Sequence, residues 1–134
     1  MIFKIAQDVI RNILMKMGAF CLPGMCPLTS TMFLKKTDEE TKSGLWGQQN
    51  WQFHETLYRS ANRPKLLILI RNMHNNIERY MRLYLSKMNY QTKSQGEHRA
   101  LLNACTQRDI KAAQKLLRKH MADANASLSG YLSQ

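Results

Sequence analysis

The sequence predicts an all-α fold, an antiparallel helical bundle, and three observations carry that prediction. Apolar residues recur at three- and four-residue steps through most of the chain after residue 45. Val and Thr are few and no alternating apolar–polar run occurs, which argues against strands. Helix start and stop signals divide the periodic stretches at Ser60-Ala61-Asn62-Arg63-Pro64, at Ser94-Gln95-Gly96-Glu97 and at Thr106 to Asp109.

Residues 1–44 are the least legible part. Ile2 to Met17 has helical spacing, but Pro23, Gly24 and Pro27 break up the stretch after it, and Thr37-Asp38-Glu39-Glu40 resembles a helix start. The first clear helix carries Trp46, Asn50, Phe53, His54, Leu57 and Ala61 on one face. Asn62 is the expected N-cap of the next helix, with Pro64 in its first turn. That helix runs from about Pro64 to Asn89, and Leu66, Ile70, Met73, Ile77, Tyr80 and Tyr84 form its seam. Ser94 and Glu97 have capping-box spacing and are expected to open a third helix with His98, Leu101, Leu102 and Cys105 inward. A final helix places Ile110, Ala113, Leu117, His120, Met121, Ala124, Leu128 and Tyr131 on its apolar side.

At 134 residues the chain is one domain by length, able to bury roughly two-thirds of its unfolded surface. Apolar content of 44% supports a packed core. No stretch approaches the ~20 apolar residues of a membrane helix. Lys4, Asp8, Arg11 and Lys16 interrupt the apolar start, which does not suit a signal peptide, so a cytoplasmic protein is expected. Three cysteines are too few and odd for a disulfide framework, and Cys21 and Cys26 lack the second pair that a zinc ribbon needs.

The net charge of +11 is unevenly spread: residues 1–60 hold seven Lys/Arg against five Asp/Glu, and residues 61–134 hold thirteen against four. Such a surplus suits an anionic partner, although Lys111, Lys115, Arg118 and Lys119 fall on the outer side of the last helix and are expected to be solvated.

Three of the four histidines, His54, His98 and His120, occupy inward lines on three different helices. If about a third of helix positions face inward, three given histidines all face inward by chance roughly once in thirty. Neutral imidazole is a common ligand for divalent transition metals, and bundles build such sites from facing helices. Asn50 precedes His54 by one turn and adds an oxygen donor. His74 lies at the shoulder of its helix and reads as structural, and Glu97 is accounted for by the capping box. No nucleophile elbow, P-loop, dinucleotide fingerprint or carboxylate pair is present.

Asn50-Trp51-Gln52-Phe53-His54-Glu55-Thr56-Leu57-Tyr58 with Ala61-Asn62-Arg63-Pro64 resembles the Asp/Asn-x-x-Phe-His-x-x-Leu signature of the C-terminal domains of FadR-like regulators in the GntR family. Glu97-His98-Arg99-Ala100-Leu101-Leu102-Asn103-Ala104, then Arg108-Asp109-Ile110 and His120, is similar to the family's closing segment. The resemblance covers residues 45–134 and departs from the family in two ways. Asn50 stands where metal-binding members have an aspartate, and residues 1–44 resemble neither the domain's usual first helices nor the winged helix-turn-helix that precedes it.

The resemblance implies a FadR-type bundle, atypical or incomplete at its N-terminal helices, that binds a small organic acid beside a divalent metal (Zn, Ni or Mn). The implied metal ligands are Asn50, His54, His98 and His120, with no residue assigned to the effector. It further implies a homodimer that is not an enzyme and that reaches DNA only through the missing N-terminal domain. Two alternatives arise from the residues. A metal-dependent helical-bundle hydrolase needs a base near the metal beyond its ligands, and none is placed for it. A basic, nonspecific nucleic-acid binder needs aromatics among the exposed cations, whereas Tyr80 and Tyr84 are expected on the packed seam.

Overall fold

The computed structural model describes residues 31–32, 34–36, 43–59, 62–88 and 90–133. They form four helices, α1 (Ser43–Arg59), α2 (Pro64–Met88), α3 (Tyr90–Thr106) and α4 (Ile110–Leu132), preceded by helical residues at 31–32 and 34–36. No strand occurs among the described residues, and the all-α prediction holds. No described helix is long and apolar enough to cross a membrane. Expectations for Ile2–Met17, for Cys21 and Cys26, for Thr37–Glu40 and for the side chains of Ala61, Tyr84 and Tyr131 fall outside the described residues.

Helix α1 packs chiefly on α2, and α3 on α4, and α2 also touches both members of the second pair. One core joins Phe53, Leu57 and Tyr58 of α1, Ile70 of α2, Leu101 and Ala104 of α3, Ala113 and Leu117 of α4, and Leu34 from the preceding helical residues. Trp46 and Tyr90 form a second cluster flanked by Ala124 and Leu128 of α4. Leu34 shows that the segment before α1, illegible in the sequence, supplies part of the core. The inward lines of α1, α3 and α4 thus follow the apolar spacing, except that Ile110, at the first position of α4, is exposed.

The connections explain two departures. Asn62 does not cap α2: with φ of 50° it closes α1, its N–H bonding the Arg59 carbonyl at 3.1 Å. Asn tolerates this left-handed conformation better than most residues, and the same property that suits it to turns suits it to a helix stop. The α3–α4 turn lies where expected. The Asp109 N–H bonds the Ala104 carbonyl and the Arg108 N–H the Cys105 carbonyl, a Schellman arrangement with Arg108 at φ of 58° in the usual glycine position. Asp109 also N-caps α4, its side chain accepting from the Ala112 N–H at 2.9 Å.

Two larger corrections concern α2 and α3. The expected capping box at Ser94 is not a helix start, because α3 already begins at Tyr90. Tyr90 is buried against Trp46, so the helix extends a turn earlier to bring it there, and Ser94 and Gln95 become buried interior positions. Tyr80 is not on a packed seam but exposed, with the Arg79 guanidinium against its ring at 6.0 Å. Glu78 lies beside Gly47, so at Tyr80 α2 has run almost to the start of α1. Lys111, Lys115, Arg118 and Lys119 are exposed on α4, as expected.

Candidate metal centre

The three histidines expected to converge do so. His54 reaches the interior from α1, His98 from α3 and His120 from α4, with ring centroids 4.8–5.3 Å apart. One potential ligand atom from each lies within 4.8 Å of the other two. The Nε2 atoms of His54 and His98 are 3.2 Å apart. Two nitrogens each 2.0–2.1 Å from a zinc ion are about 2.9 to 3.4 Å apart for angles between a right angle and the tetrahedral value. That pair is already at coordination spacing.

The surroundings explain how the rings are aimed. His98 is fully buried, its ring 4.6 Å from that of Phe53, and His54 is buried beside the same phenylalanine. Each histidine has its Nδ1 atom on a group able to accept a hydrogen bond. His98 Nδ1 lies 2.9 Å from the Gln95 Oε1 atom, His120 Nδ1 lies 2.6 Å from Glu97 Oε2, and His54 Nδ1 lies 3.3 Å from the Tyr58 hydroxyl. The Gln95 amide oxygen and the Glu97 carboxylate only accept, so they hold the hydrogen on Nδ1 and leave the Nε2 lone pair for a metal, the arrangement that metal-ligating histidines adopt. The Tyr58 hydroxyl, which can accept or donate, is compatible with the same form of His54.

Electrostatics favour the neutral, ligating form. Burial holds His54 well below the ordinary imidazole range, and the neighbouring His98, His120 and His74 push it in the same direction. His98 is likewise depressed, by burial first and then by His120 and Arg99. Asn50 stands one turn before His54 on α1, and its Oδ1 atom is buried with no hydrogen-bond partner among the described residues. An unsatisfied buried amide oxygen is costly, and a cation is one way to satisfy it. Three convergent imidazoles, oriented by acceptors, with an orphaned oxygen on the same helix, fit a divalent transition metal.

Three orienting residues were not found in the sequence. Tyr58 and Gln95 lie at helical spacing from His54 and His98, a signal available once those histidines are chosen. Glu97 and His120 are on different helices, and no spacing announces the pair. Glu97 is therefore not a capping residue. It is a carboxylate near the cluster, but it meets His120 on Nδ1 and leaves the Nε2 side of the ring uncommitted, which suits it to orienting His120. Lys93 approaches its other oxygen at 3.9 Å and pairs with Asp123 at 3.0 Å. His74, read as structural, sets its ring 4.8 Å from that of Trp51 at a 46° tilt, with its Nδ1 buried and without a hydrogen-bond partner among the described residues. Burial lowers it, against the opposing effect of Glu78.

Comparison with known proteins agrees with this architecture. The FCD domain family model matches residues 32–123, so the chain belongs to the FCD domain family. The match starts before the segment that resembled the family in sequence, and it takes in Leu34. The fold is similar to that of a transcriptional regulator, a GntR family member, from Pseudomonas syringae pv. tomato str. DC3000, with a TM-score of 0.87 and 23% identity. That likeness covers 98% of this chain and 55% of the regulator's chain, so this chain spans about half the length of that protein. A search of curated proteins returns no significant match.

Proposed function

We propose that this chain is a sensory domain, holding a divalent transition metal on His54, His98, His120 and Asn50 and binding a small organic acid beside it. The observation that carries the reading is the convergence of the three rings, with the Nε2 atoms of His54 and His98 3.2 Å apart and the Nδ1 atom of each ring on a neighbour, Tyr58, Gln95 or Glu97. When bound, the metal supplies a Lewis-acidic centre for an anionic ligand. The protein contributes the orientation of the imidazoles, a dry site and a neutral donor set. A neutral set leaves the cation's charge uncompensated and therefore favours a carboxylate ligand.

Further polar atoms on α1 and α2 support a ligand in the same interior. Trp46 Nε1, Gln49 Oε1, Asn50 Oδ1 and His74 Nδ1 are buried without hydrogen-bond partners among the described residues. Trp46, Asn50 and His54 recur at steps of four, so they lie along one stripe of α1. A carboxylate would accept from the Trp46 indole N–H. In this reading the domain is cytoplasmic and not an enzyme, and acts as a homodimer. Ile68 and Leu69, exposed on α2, offer apolar surface for that contact. Ligand binding then alters how attached DNA-binding domains sit on an operator, and DNA is contacted through those domains.

Calorimetric titration of the zinc-loaded domain with a panel of small mono- and dicarboxylates tests the reading. Binding that disappears when the metal is chelated is expected. Carboxylate binding of equal strength with and without metal would contradict it, as would no binding by any member of the panel.

A further inference from the structure

We propose that Gln95 is a positioning residue that couples the metal-binding form of His98 to the docking of the helical residues around Leu34. The inference rests on the metal reading above but concerns residues to which that reading assigns no role beyond orientation. The Gln95 side chain spans two partners: its Nε2 donates to the Leu34 carbonyl at 3.3 Å, and its Oε1 faces His98 Nδ1 at 2.9 Å.

The chemistry of these partners leaves one arrangement. A backbone carbonyl only accepts, so the amide nitrogen of Gln95 must face Leu34. The amide oxygen must then face His98, and because it also only accepts, His98 must carry its hydrogen on Nδ1. In the neutral ring the lone pair is left on Nε2, the atom that faces His54. A flipped amide would set oxygen against the Leu34 carbonyl, in a place shielded from bulk solvent: Gln95 is 5% exposed and His98 0%. One carbonyl before α1 thereby selects the His98 tautomer that can ligate a metal.

Leu34 is held by its side chain as well, packed in the core with Phe53, Leu57, Leu101 and Leu117. Seating that side chain delivers the carbonyl to Gln95. If residues 31–36 undock, Gln95 loses its reference, the amide can turn over, and His98 can take the other tautomer, which places a hydrogen where the metal would bind. Linkage makes the effect mutual: a metal on His98 Nε2 favours the same amide orientation and so favours the docked segment. A metal site in the interior of the bundle is thus connected to the backbone on the N-terminal side of α1.

Two variants at one position separate the halves of this proposal. Gln95→Leu removes both bonds, whereas Gln95→Glu can still accept from His98 but cannot donate to Leu34. The probe is zinc, with affinity measured by competition against a chelator and exchange of the backbone amides of residues 31–36 tracked with and without zinc. In the unmodified chain zinc should slow exchange in that segment. Gln95→Leu should lose about tenfold or more in zinc affinity, as loss of a histidine-orienting partner usually does. Gln95→Glu should keep the affinity within about threefold yet lose the zinc-dependent protection of residues 31–36. Nitrogen NMR of the His98 ring in the metal-stripped protein should report the Nδ1–H tautomer, a readout that needs no metal and that a packing role alone would not set. Zinc binding that leaves residues 31–36 unaffected, an Nε2–H tautomer, or Gln95→Leu with undiminished affinity in a folded protein would overturn the proposal. If the unmodified chain bound no zinc at all, the metal reading itself would fail, and the ring tautomer would still report the orientation of Gln95.

Discussion

The Nδ1 atom of His120 lies 2.6 Å from the Glu97 carboxylate, which joins α4 to α3 one residue before the buried His98. A carboxylate in this position fixes the ring and increases the basicity of the opposite nitrogen. Glu97→Ala should therefore lower metal affinity by about 10- to 100-fold, and Glu97→Gln, which keeps an acceptor but removes the charge, by less. Competition titration with a chelator of known affinity distinguishes the two. Equal affinities in all three proteins would remove Glu97 from the site.

The Asn50 side chain carries a neutral, buried oxygen where an aspartate would bring a negative charge. Asn50→Asp should tighten metal binding and weaken binding of an added carboxylate, since the new charge attracts the cation and repels the anion. Calorimetry of both proteins, first with metal and then with organic acids, checks the two signs. Movement of both affinities in the same direction would rule out Asn50 as a neutral donor.

Burial sets the sign of the pH dependence. His54 and His98 are depressed below 6.5 in the folded chain and return toward that value when it unfolds. Between the folded and unfolded values the unfolded chain binds more protons, so stability is full above about pH 6.5 and falls as pH drops below it. The decline continues until the folded-state values are passed. Thermal melting of the metal-stripped protein from pH 8 to pH 5 should show this loss, and His98→Ala should reduce it. A melting temperature that is flat or rises as the pH is lowered through that range would mean the two rings are not held neutral by the fold.

The bundle and the convergence of His54, His98 and His120 were legible because both depend on helical periodicity. Trp46, Phe53, Leu57, Leu101 and Leu117 are buried where their spacing puts them, and His54, His98 and His120 lie on the same inward lines. What was illegible depends on contacts between helices. The Glu97–His120 and Gln95–Leu34 contacts join residues 23 and 61 positions apart, and no local pattern records them. Ser94 and Glu97 carry a capping signature that local sequence cannot distinguish from a mid-helix serine and glutamate. Here Tyr90, buried against Trp46, draws the helix start a turn earlier. Exposure of Tyr80 was hidden for a related reason: its spacing continues the α2 seam, but α1 begins too near its level to cover it.

Whether His54, His98 and His120 form one metal site is decided by elemental analysis and thermal melting of the purified chain beside His98→Ala and His120→Ala, with zinc present and after chelation. A shared site requires about one metal per chain, a melting temperature that rises with zinc because the ion binds only the folded state, and loss of both effects in the two variants. Absence of bound metal together with melting that ignores zinc in all three proteins would contradict it, and would leave the three histidines as hydrogen-bonded residues of the core.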